Sequence, residues 1–472
     1  MIFTLVWSVT SLYADTGVVD SKGSSSGVNP KGEISEASTN GVSEVSTKES
    51  VKTESLFETD QSQIENQSWM LHGQNTDIIQ GHPRFHSPYM GQNSLTSGDT
   101  LRQSVSLDLY LGGHLWPGGD LYFNPEYFQG YGFNQTRGIA AFPNGEVYKL
   151  GTESGQEVIP HLFYRQTFGF GGEQEQLSSD LLQLAEKVDV SRLTLTVGRI
   201  EVGDQFDGNA YSHDQRTQFL NWALIDAGAF DYAADSYGET QGITLEYNQK
   251  EWALRWGGFM VPRSSNNLAF DHHPTKGWQD VLEFEKRYAL GEHPGTVRLL
   301  GWLESAKMGS YEEALGRPDL DITQTREYRL QYGFELNAEQ EITSDLGAFL
   351  RASWRDGKSE VWQFTDIDES ISLGLHLMGT QWGRKEDVVG IAGIADEIGA
   401  QHRSFIAAGG TGPLIGDGQL NYAPESVLET YYDAQVVEHI HVAADYQFVN
   451  NPAYNQDRGP VHIFALRLRM AF

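Results

Sequence analysis

The chain has 472 residues, among them 51 glycines and no cysteine, and its formal net charge is −31. This acidic balance argues against a nucleic-acid-binding protein, because phosphates require a basic partner surface. No segment approaches the roughly 18 consecutive apolar residues of a membrane-spanning helix. A helical membrane protein is therefore excluded, whereas a β-barrel remains open, since its apolar signal is spread over short alternating segments.

The N-terminal part of the chain divides into two segments. Residues 1–14 are apolar and end on the small residue Ala14, which predicts a signal-peptide-like segment without its usual basic n-region. We expect export, with a translation start upstream of Met1; a soluble N-terminal strand is the alternative. Residues 15–65 are rich in Ser, Thr, Gly and Glu and show no sustained period, which predicts a disordered periplasmic extension.

Residues 66–472 have the alternating pattern of β-strands. In segment 325–337, Tyr328 and Leu330 share one face and Arg329 takes the other, since strand side chains alternate with period two. Such faces suit a wall between lipid and a water-filled lumen, so we predict an all-β fold, a transmembrane antiparallel β-barrel of about 16 strands with inward-folded constriction loops. The predicted strands are 69–81, 104–116, 120–131, 160–170, 192–203, 238–248, 251–261, 278–290, 296–307, 325–337, 342–354, 370–379, 388–395, 428–437, 439–449 and 460–472.

The predicted connections alternate in length. Short turns, such as 248–250 and 382–385, alternate with long loops, as in barrels with short periplasmic turns and long external loops. Segment 171–191 is a long connection on the short-turn side, and its part 181–187 predicts a small helix. The long loops are 82–103, 132–159, 204–235, 262–277 and 396–426.

The aromatic loop 204–237 is predicted to fold into the lumen. Its aromatic residues would form a small core, which favours packing inside the barrel over an extended external loop, and part 216–229 predicts one or two helical turns. Such a loop narrows a pore and selects solutes by size and hydrogen bonding. The candidate constriction residues are His213, Asp214, Arg216, Gln218, Asn221 and Trp222.

The charged faces of the strands predict a lumen lined by guanidinium groups and carboxylates with occasional aromatic rings. Charged groups pair with sugar hydroxyls and ring faces stack on sugar C–H surfaces, which favours passage of small carbohydrates. The alternative is that the charges only stabilise and hydrate a wide pore. The candidate substrate-contacting residues on these faces are Arg255, Arg298, Arg329, Arg351, Arg467, Arg469, Glu246, Glu327, Asp445 and Trp302.

The sequence predicts few binding partners besides small solutes. The terminal aromatic residue Phe472 resembles the signal read by the outer-membrane barrel-assembly machinery, and acidic external loops favour contact with lipopolysaccharide through bridging divalent cations. No cofactor or protein-bound metal is predicted, because the pairs His272-His273 and His439/His441 lack supporting ligands at the required spacing.

Several segments, in order along residues 69–472, resemble the carbohydrate-selective porin family of the OprB type. The most specific is HDQRTQFLNW at 213–222. The other matching segments are LYFNPE at 121–126, RQTFG at 165–169, LTVGR at 195–199, KMGSY at 307–311, GGTGPLIGDG at 409–418 and NPAYNQDRGP at 451–460.

This resemblance implies a 16-stranded porin of the Gram-negative outer membrane that takes up small sugars passively through an Arg-rich eyelet. Arg165 and Arg199, and after them Glu126, lie inside matching segments and are eyelet candidates. The strong acidic balance departs from the family pattern and leaves the sugar open. Alternatives are a polysaccharide-export barrel, a general diffusion barrel and a barrel-embedded hydrolase, and the oligomeric state is either monomer or trimer.

Overall fold

The computed structural model describes residues 66–148 and 152–472. The predictions for segments 1–14 and 15–65 lie outside the described residues. Within the described part of the chain, no helix is long and apolar enough to cross a membrane.

Sixteen antiparallel strands form a closed barrel in which each strand pairs with the next barrel strand along the chain and the last pairs with the first. Two further strands, β5 and β6, pair only with each other. The strands are β1 (Trp69–His82), β2 (Thr100–Trp116), β3 (Gly119–Gly130), β4 (Thr152–Gly169), β5 (Gln174–Leu177), β6 (Glu186–Asp189), β7 (Arg192–Glu201), β8 (Glu239–Asn248), β9 (Trp252–Phe259), β10 (Trp278–Leu290), β11 (His293–Met308), β12 (Glu327–Thr343), β13 (Leu346–Arg355), β14 (Glu369–Met378), β15 (Val388–Glu397), β16 (Glu425–Val437), β17 (Ile440–Asn450) and β18 (Val461–Ala471).

The helices are short and lie in the connections. Segment 181–187, predicted to be helical, is instead part of the β5–β6 hairpin, because backbone pairing between these two strands overrides its local helical composition. The α-helices are α1 (Trp222–Ile225), α2 (Tyr311–Leu315) and α3 (Ala400–Ala407), and single 3-10 turns occupy Phe133–Gln135, Ile322–Thr325, Gly379–Trp382 and Pro452–Tyr454.

The two faces of the wall have the predicted character. On β12 the side chains of Tyr328, Leu330 and Phe334 point outward and are exposed, whereas Gln331 and Glu335, on the other parity, are buried towards the lumen. Unpaired charges are costly against lipid, so the apolar face lies outside and the charged face inside. The prediction of a 16-stranded barrel with this orientation is confirmed.

Short and long connections alternate around the barrel. Two-residue turns such as 344–345 close one end, which we call the turn end, and long loops such as 202–238 and 398–424 lie at the other, the loop end. The hairpin connection 170–191 is the long exception at the turn end. Much of the buried apolar core consists of loop residues, so the loops, and not the strands alone, fill the barrel.

Replacing Leu373 by Arg tests the lipid-facing assignment, because Leu373 lies in the middle of β14 and is 60% exposed on the outer face. Burying a cation in lipid near the bilayer midplane costs about 2–4 kcal/mol. We expect L373R to lower the free energy of unfolding by about this amount in vesicles, measured by urea titration with tryptophan fluorescence. The control L373F keeps the site apolar; equal stability of L373R and L373F would contradict the assignment.

Candidate functional site in the barrel lumen

The loop of residues 202–238, between β7 and β8, folds into the lumen, and we call it the inward loop. It contains α1, whose N-terminus is capped by Asn221 Oδ1, which accepts a hydrogen bond from the Ala223 backbone N–H at 3.1 Å. Phe219 is buried against Phe349 and Tyr431 of the wall. Trp222 is buried against Phe142 and Phe364 of neighbouring loops. The loop therefore folds inward as predicted, with only one of the predicted helical turns formed.

One anchor of the inward loop is the ion pair of Asp207 with Arg351 of β13. Arg351 Nε donates to Asp207 Oδ1 at 2.7 Å, and both residues are at most 2% exposed. Burial by itself raises the pKa of the Asp207 carboxyl, but the Arg351 guanidinium brings it below its usual value. Removing either partner would leave a buried charge unpaired, which costs about 3–5 kcal/mol.

Glu429 and Arg467 hold the middle of the inward loop. Glu429 Oε1 accepts a hydrogen bond from the Leu220 N–H at 2.5 Å and Glu429 Oε2 accepts one from the Asn221 N–H at 3.0 Å. Arg467 Nη1 donates to two loop carbonyls at 2.7 and 2.8 Å. Buried backbone groups need partners, and here charged side chains of the wall supply them.

Asp231 joins the end of the inward loop to the loop 356–368. Its carboxylate accepts hydrogen bonds from four consecutive backbone N–H groups, those of residues 362–365, at 2.7 to 3.1 Å. A buried carboxylate with several N–H donors makes strong charge-assisted contacts. The two loops therefore pack as one unit inside the barrel.

Arg216 fixes the inward loop to β2. Its guanidinium lies 3.0 Å from Asp108 Oδ2 and 2.8 Å from Glu146 Oε2. It also donates to Tyr110 Oη at 2.8 Å, and Glu126 Oε2 lies 3.7 Å away. One cation thus faces three carboxylates, which leaves this wall with excess negative charge.

Two cavities follow the lumen beside the inward loop. The acidic cavity, of about 580 Å³, is lined by ten carboxylates and two arginines. The mixed-charge cavity, of about 370 Å³, is lined by four carboxylates and four arginines. The two cavities meet at six residues that line both, which we call the neck: Arg165, Gln183, Gly203, Asp204, Gln205 and His213.

The acidic cavity includes loop-end residues such as Tyr148 and Glu239, and the mixed-charge cavity includes turn-end residues such as Leu177 and Arg192. The charged residues of the acidic cavity are Asp108, Glu126, Glu146, Asp180, Glu201, Asp204, Asp214, Asp226, Asp235, Glu239, Arg165 and Arg216. Those of the mixed-charge cavity are Glu186, Asp204, Glu246, Glu285, Arg165, Arg192, Arg255 and Arg298.

Of the predicted arginines, Arg165 lies at the neck. Its Nη1 donates to Gln183 Oε1 and to the Leu182 carbonyl, both at 3.1 Å, and its Cζ lies 5.0 Å from the centre of the Tyr122 ring. These contacts hold the guanidinium in one orientation while it lines both cavities. Arg165 is therefore positioned to donate to a passing solute.

A charge ladder lines the mixed-charge cavity. Arg255 Nε lies 2.6 Å from Glu246 Oε2, and Arg255 Nη1 lies 2.9 Å from Glu285 Oε2. Arg298 Nε lies 2.9 Å from the same Glu285 oxygen. The predicted residues Glu246, Arg255 and Arg298 thus come together, joined by Glu285, which sequence reasoning missed.

Three predicted contact residues are covered by the inward loop, which corrects the expectation that they face solute. Arg351 and Arg467 bind the loop backbone, as described above. Trp302 is 2% exposed, and its ring centre lies 4.7 Å from that of Phe230 in the loop, so Trp302 has no free stacking face. The sequence alone does not reveal where the loop lands on the wall.

The other predicted strand residues lie away from the neck. Arg199 lies behind the acidic cavity, where it pairs with Asp235 at 2.8 Å and Glu239 at 2.9 Å. Arg329 lies near the loop end of β12 and pairs with Glu327 at 3.0 Å.

Two predicted lumen residues are held by glutamine side chains. Asp445 Oδ1 accepts a hydrogen bond from Gln447 Nε2 at 3.3 Å, and Arg469 Nε donates to Gln74 Oε1 at 2.7 Å. Neither Asp445 nor Arg469 lines either lumen cavity.

The predicted loop residues divide into two groups. His213 lies at the neck, and Asp214 and Trp222, like Arg216, line the acidic cavity. Gln218 and Asn221 bind protein groups instead; for example, Gln218 Oε1 accepts the His213 N–H at 2.6 Å. The inward loop therefore contributes some side chains to the cavity lining and others to the hydrogen bonds that stabilise the loop itself.

Sequence reasoning missed the polar cluster beside the neck. His161 Nε2 lies 2.7 Å from Asp204 Oδ2, and the Glu201 carboxylate adjoins both. Asp204 immediately follows the predicted strand 192–203, and that position was the only signal available from the sequence.

Burial and like charges shift the pKa of a second carboxyl group of the inward loop. Burial, together with the Asp207 and Glu201 carboxylates, raises the pKa of Asp226 well above its usual range. His213 Nδ1 lies 3.7 Å from Asp226 Oδ1, and burial followed by the Arg351 charge lowers the pKa of this histidine. These shifts reduce the charge at this part of the loop, so its side chains can pack closely.

Comparison with known proteins gives one family. The model of the family described as carbohydrate-selective porin, OprB family, matches residues 92–472. The chain matches none of the curated proteins.

Among solved structures, the high-pH structure of Pseudomonas putida OprB is similar over 86% of this chain and 94% of that one, with 15% identity and a TM-score of 0.66. The low-pH structure of the same protein gives 13% identity and a TM-score of 0.47, covering 86% of this chain and 93% of that one. The outer-membrane channel DcaP of Acinetobacter baumannii gives 9% identity and a TM-score of 0.47, covering 86% and 97%. The first of these likenesses supports the barrel fold.

Replacing Arg351 by Met tests the anchoring of the inward loop. The substitution keeps the apolar stem but leaves Asp207 buried without its cation, so the loop should loosen and the passage widen. We expect higher single-channel conductance in planar bilayers and faster amide exchange in residues 204–230. The control R329M removes a half-buried arginine near the loop end; if both variants conduct like the wild type, this anchor does not set the pore width.

Proposed function

The chain belongs to the OprB family of carbohydrate-selective porins, and from this we propose that small sugars cross its barrel through the acidic cavity, the neck and the mixed-charge cavity. The protein is a porin of the Gram-negative outer membrane, where carbohydrate diffuses down its concentration gradient. The observation that carries the proposed route is the meeting of the two cavities at the neck.

Arg165 and Asp204 are the proposed contact groups for sugar hydroxyls at the neck. A hydroxyl both donates and accepts, so it can accept from the guanidinium and donate to the carboxylate. Both side chains line both cavities, which supports a role where the two cavities meet. Arg255 and Arg298 would offer further donors on the turn-end side, where Glu246 and Glu285 hold them in place.

The lining also favours some sugars over others by charge. Carboxylates outnumber the two arginines on the acidic cavity even without Asp226, whose pKa is raised, and this excess gives the cavity a negative potential. A lumen of one sign concentrates counter-ions and repels co-ions. We propose that neutral and cationic sugars pass and that anionic sugars, such as uronates, are excluded. Diffusion through such a pore requires no cofactor and no covalent step.

Other parts of the chain are proposed to contact the assembly machinery and the membrane surface. We propose that the exposed aromatic ring of Phe472 is the contact for the barrel-assembly machinery, and that acidic external loops meet lipopolysaccharide through divalent cations. The extension 15–65 would lie in the periplasm.

Replacing Arg165 by Ala tests the contact at the neck. Losing one charge-assisted hydrogen bond worth about 1.5 kcal/mol should slow passage by about tenfold. We expect liposomes containing refolded R165A to swell more slowly than wild type in a monosaccharide, with a smaller effect in an uncharged amino acid. The control R102A alters an exposed arginine near the loop end of β2.

The same swelling experiment separates the alternatives. Equal wild-type rates for a monosaccharide, a disaccharide and the amino acid would indicate a general diffusion channel. Absence of swelling would favour polysaccharide export or a barrel-embedded hydrolase instead.

The charge preference is tested by the reversal potential in a KCl gradient. The acidic cavity should make the channel cation-selective at 0.1 M salt, and the selectivity should weaken at 1 M, where the Debye length falls to about 3 Å. In swelling assays we expect glucosamine to enter faster than glucuronate. Anion selectivity at low salt would refute the proposed charge preference.

A further inference from the structure

Three metal-ligating side chains converge beside the neck. His161 of β4, Glu201 at the end of β7 and Asp204 at the start of the inward loop each offer one ligand atom, and these atoms lie within 4.8 Å of one another. His161 is buried, whereas Asp204 is exposed to both cavities. A dissolved ion can therefore reach the cluster from the lumen.

The orientation of the His161 ring is set from outside the cluster. Asn124 Nδ2 donates to Asp108 Oδ1 at 3.2 Å and to the Leu109 carbonyl at 3.1 Å, which directs Asn124 Oδ1 towards His161. His161 Nδ1 lies 2.9 Å from that oxygen and donates to it. Nε2 is then the nitrogen that faces Asp204, as in metal sites whose histidine is oriented by a second hydrogen bond.

A neutral imidazole in this orientation points a lone pair at a carboxylate oxygen 2.7 Å away. Two lone pairs at this distance repel, so a proton lies between them, and a metal ion with bonds of about 2.0 Å to each atom would replace that proton once the two side chains separate slightly. Glu201 adds a second carboxylate to the same point, and Tyr232 Oη donates to Glu201 Oε1 at 3.1 Å, which positions it. One imidazole nitrogen and two carboxylate oxygens form a donor set typical of Zn²⁺ and similar transition ions.

We propose that His161, Glu201 and Asp204 bind a divalent transition-metal ion of the Zn²⁺ class, and that the bound ion restricts the neck. Three protein ligands leave a coordination position for water or a sugar hydroxyl. Asp204 would then be held by the ion and not available as a free acceptor for passing sugar. The effect on transport rests on the proposed route through the neck, whereas metal binding does not.

Metal binding to the refolded full chain tests the site directly. We expect one Zn²⁺ per barrel by titration calorimetry, a visible absorption band on Co²⁺ addition, and much weaker binding of Ca²⁺, which prefers oxygen-only sites. The variants D204N and E201Q should each weaken Zn²⁺ binding by about tenfold or more. The control D271N removes a carboxylate that faces only one histidine, His273, in an external loop, and should bind Zn²⁺ like the wild type.

Single-channel conductance in planar bilayers tests the consequence. Zn²⁺ at concentrations that fill the site should lower the conductance of the wild type and of D271N but not of D204N. If D204N and E201Q bound Zn²⁺ as tightly as the wild type, or if the wild type bound Ca²⁺ as tightly as Zn²⁺, the proposed metal site would be wrong. If conductance stayed unchanged with the site filled, the proposed restriction of the neck would be wrong. Absence of sugar-driven swelling in the metal-free channel would refute the proposed function while leaving metal binding intact.

Discussion

The inward loop stays in the lumen because charged side chains of the barrel wall bind its backbone. A barrel of 16 strands is wide enough to hold an aqueous channel, and a loop inside it must exchange water for protein partners at every buried N–H and C=O group. Arg351, Arg467 and Glu429 supply such partners from three strands. The width of the passage therefore depends on buried ion pairs, with the strand number setting only its upper limit.

This use of charge explains why the lumen lining is acidic. Several arginines that face inward bind protein groups instead of facing solute. Arg351 and Arg467 bind the inward loop, and Arg199 forms ion pairs with two carboxylates behind the acidic cavity. Arg216 faces three carboxylates at once. Carboxylates without an arginine partner, such as Asp214, remain on the lining, so the charge left facing solute is negative even though the wall contains many arginines.

The sequence predicts the barrel well and the site only in part. Lipid on one side and water on the other impose a period of two on every strand, so strand number and the direction of each face can be read locally. Arg298 and Arg351 both lie on the inward-facing side of their strands, yet Arg351 is covered by the inward loop whereas Arg298 lines the mixed-charge cavity. Burial by a distant loop, like the approach of Asp204 to His161, is a tertiary contact that local periodicity does not encode.

The order of charges along the proposed route favours neutral sugars for a physical reason. An anionic sugar entering from the loop end would meet the acidic cavity before it reached a free guanidinium, so repulsion would act first. A cationic sugar would be attracted but would also be held there. A neutral sugar is neither repelled nor retained by the charge of the acidic cavity. At the neck its hydroxyls can form hydrogen bonds with both Arg165 and Asp204. Placing both signs of charge where the two cavities meet, behind an acidic entrance, thus combines recognition of hydroxyl groups with rejection of anions.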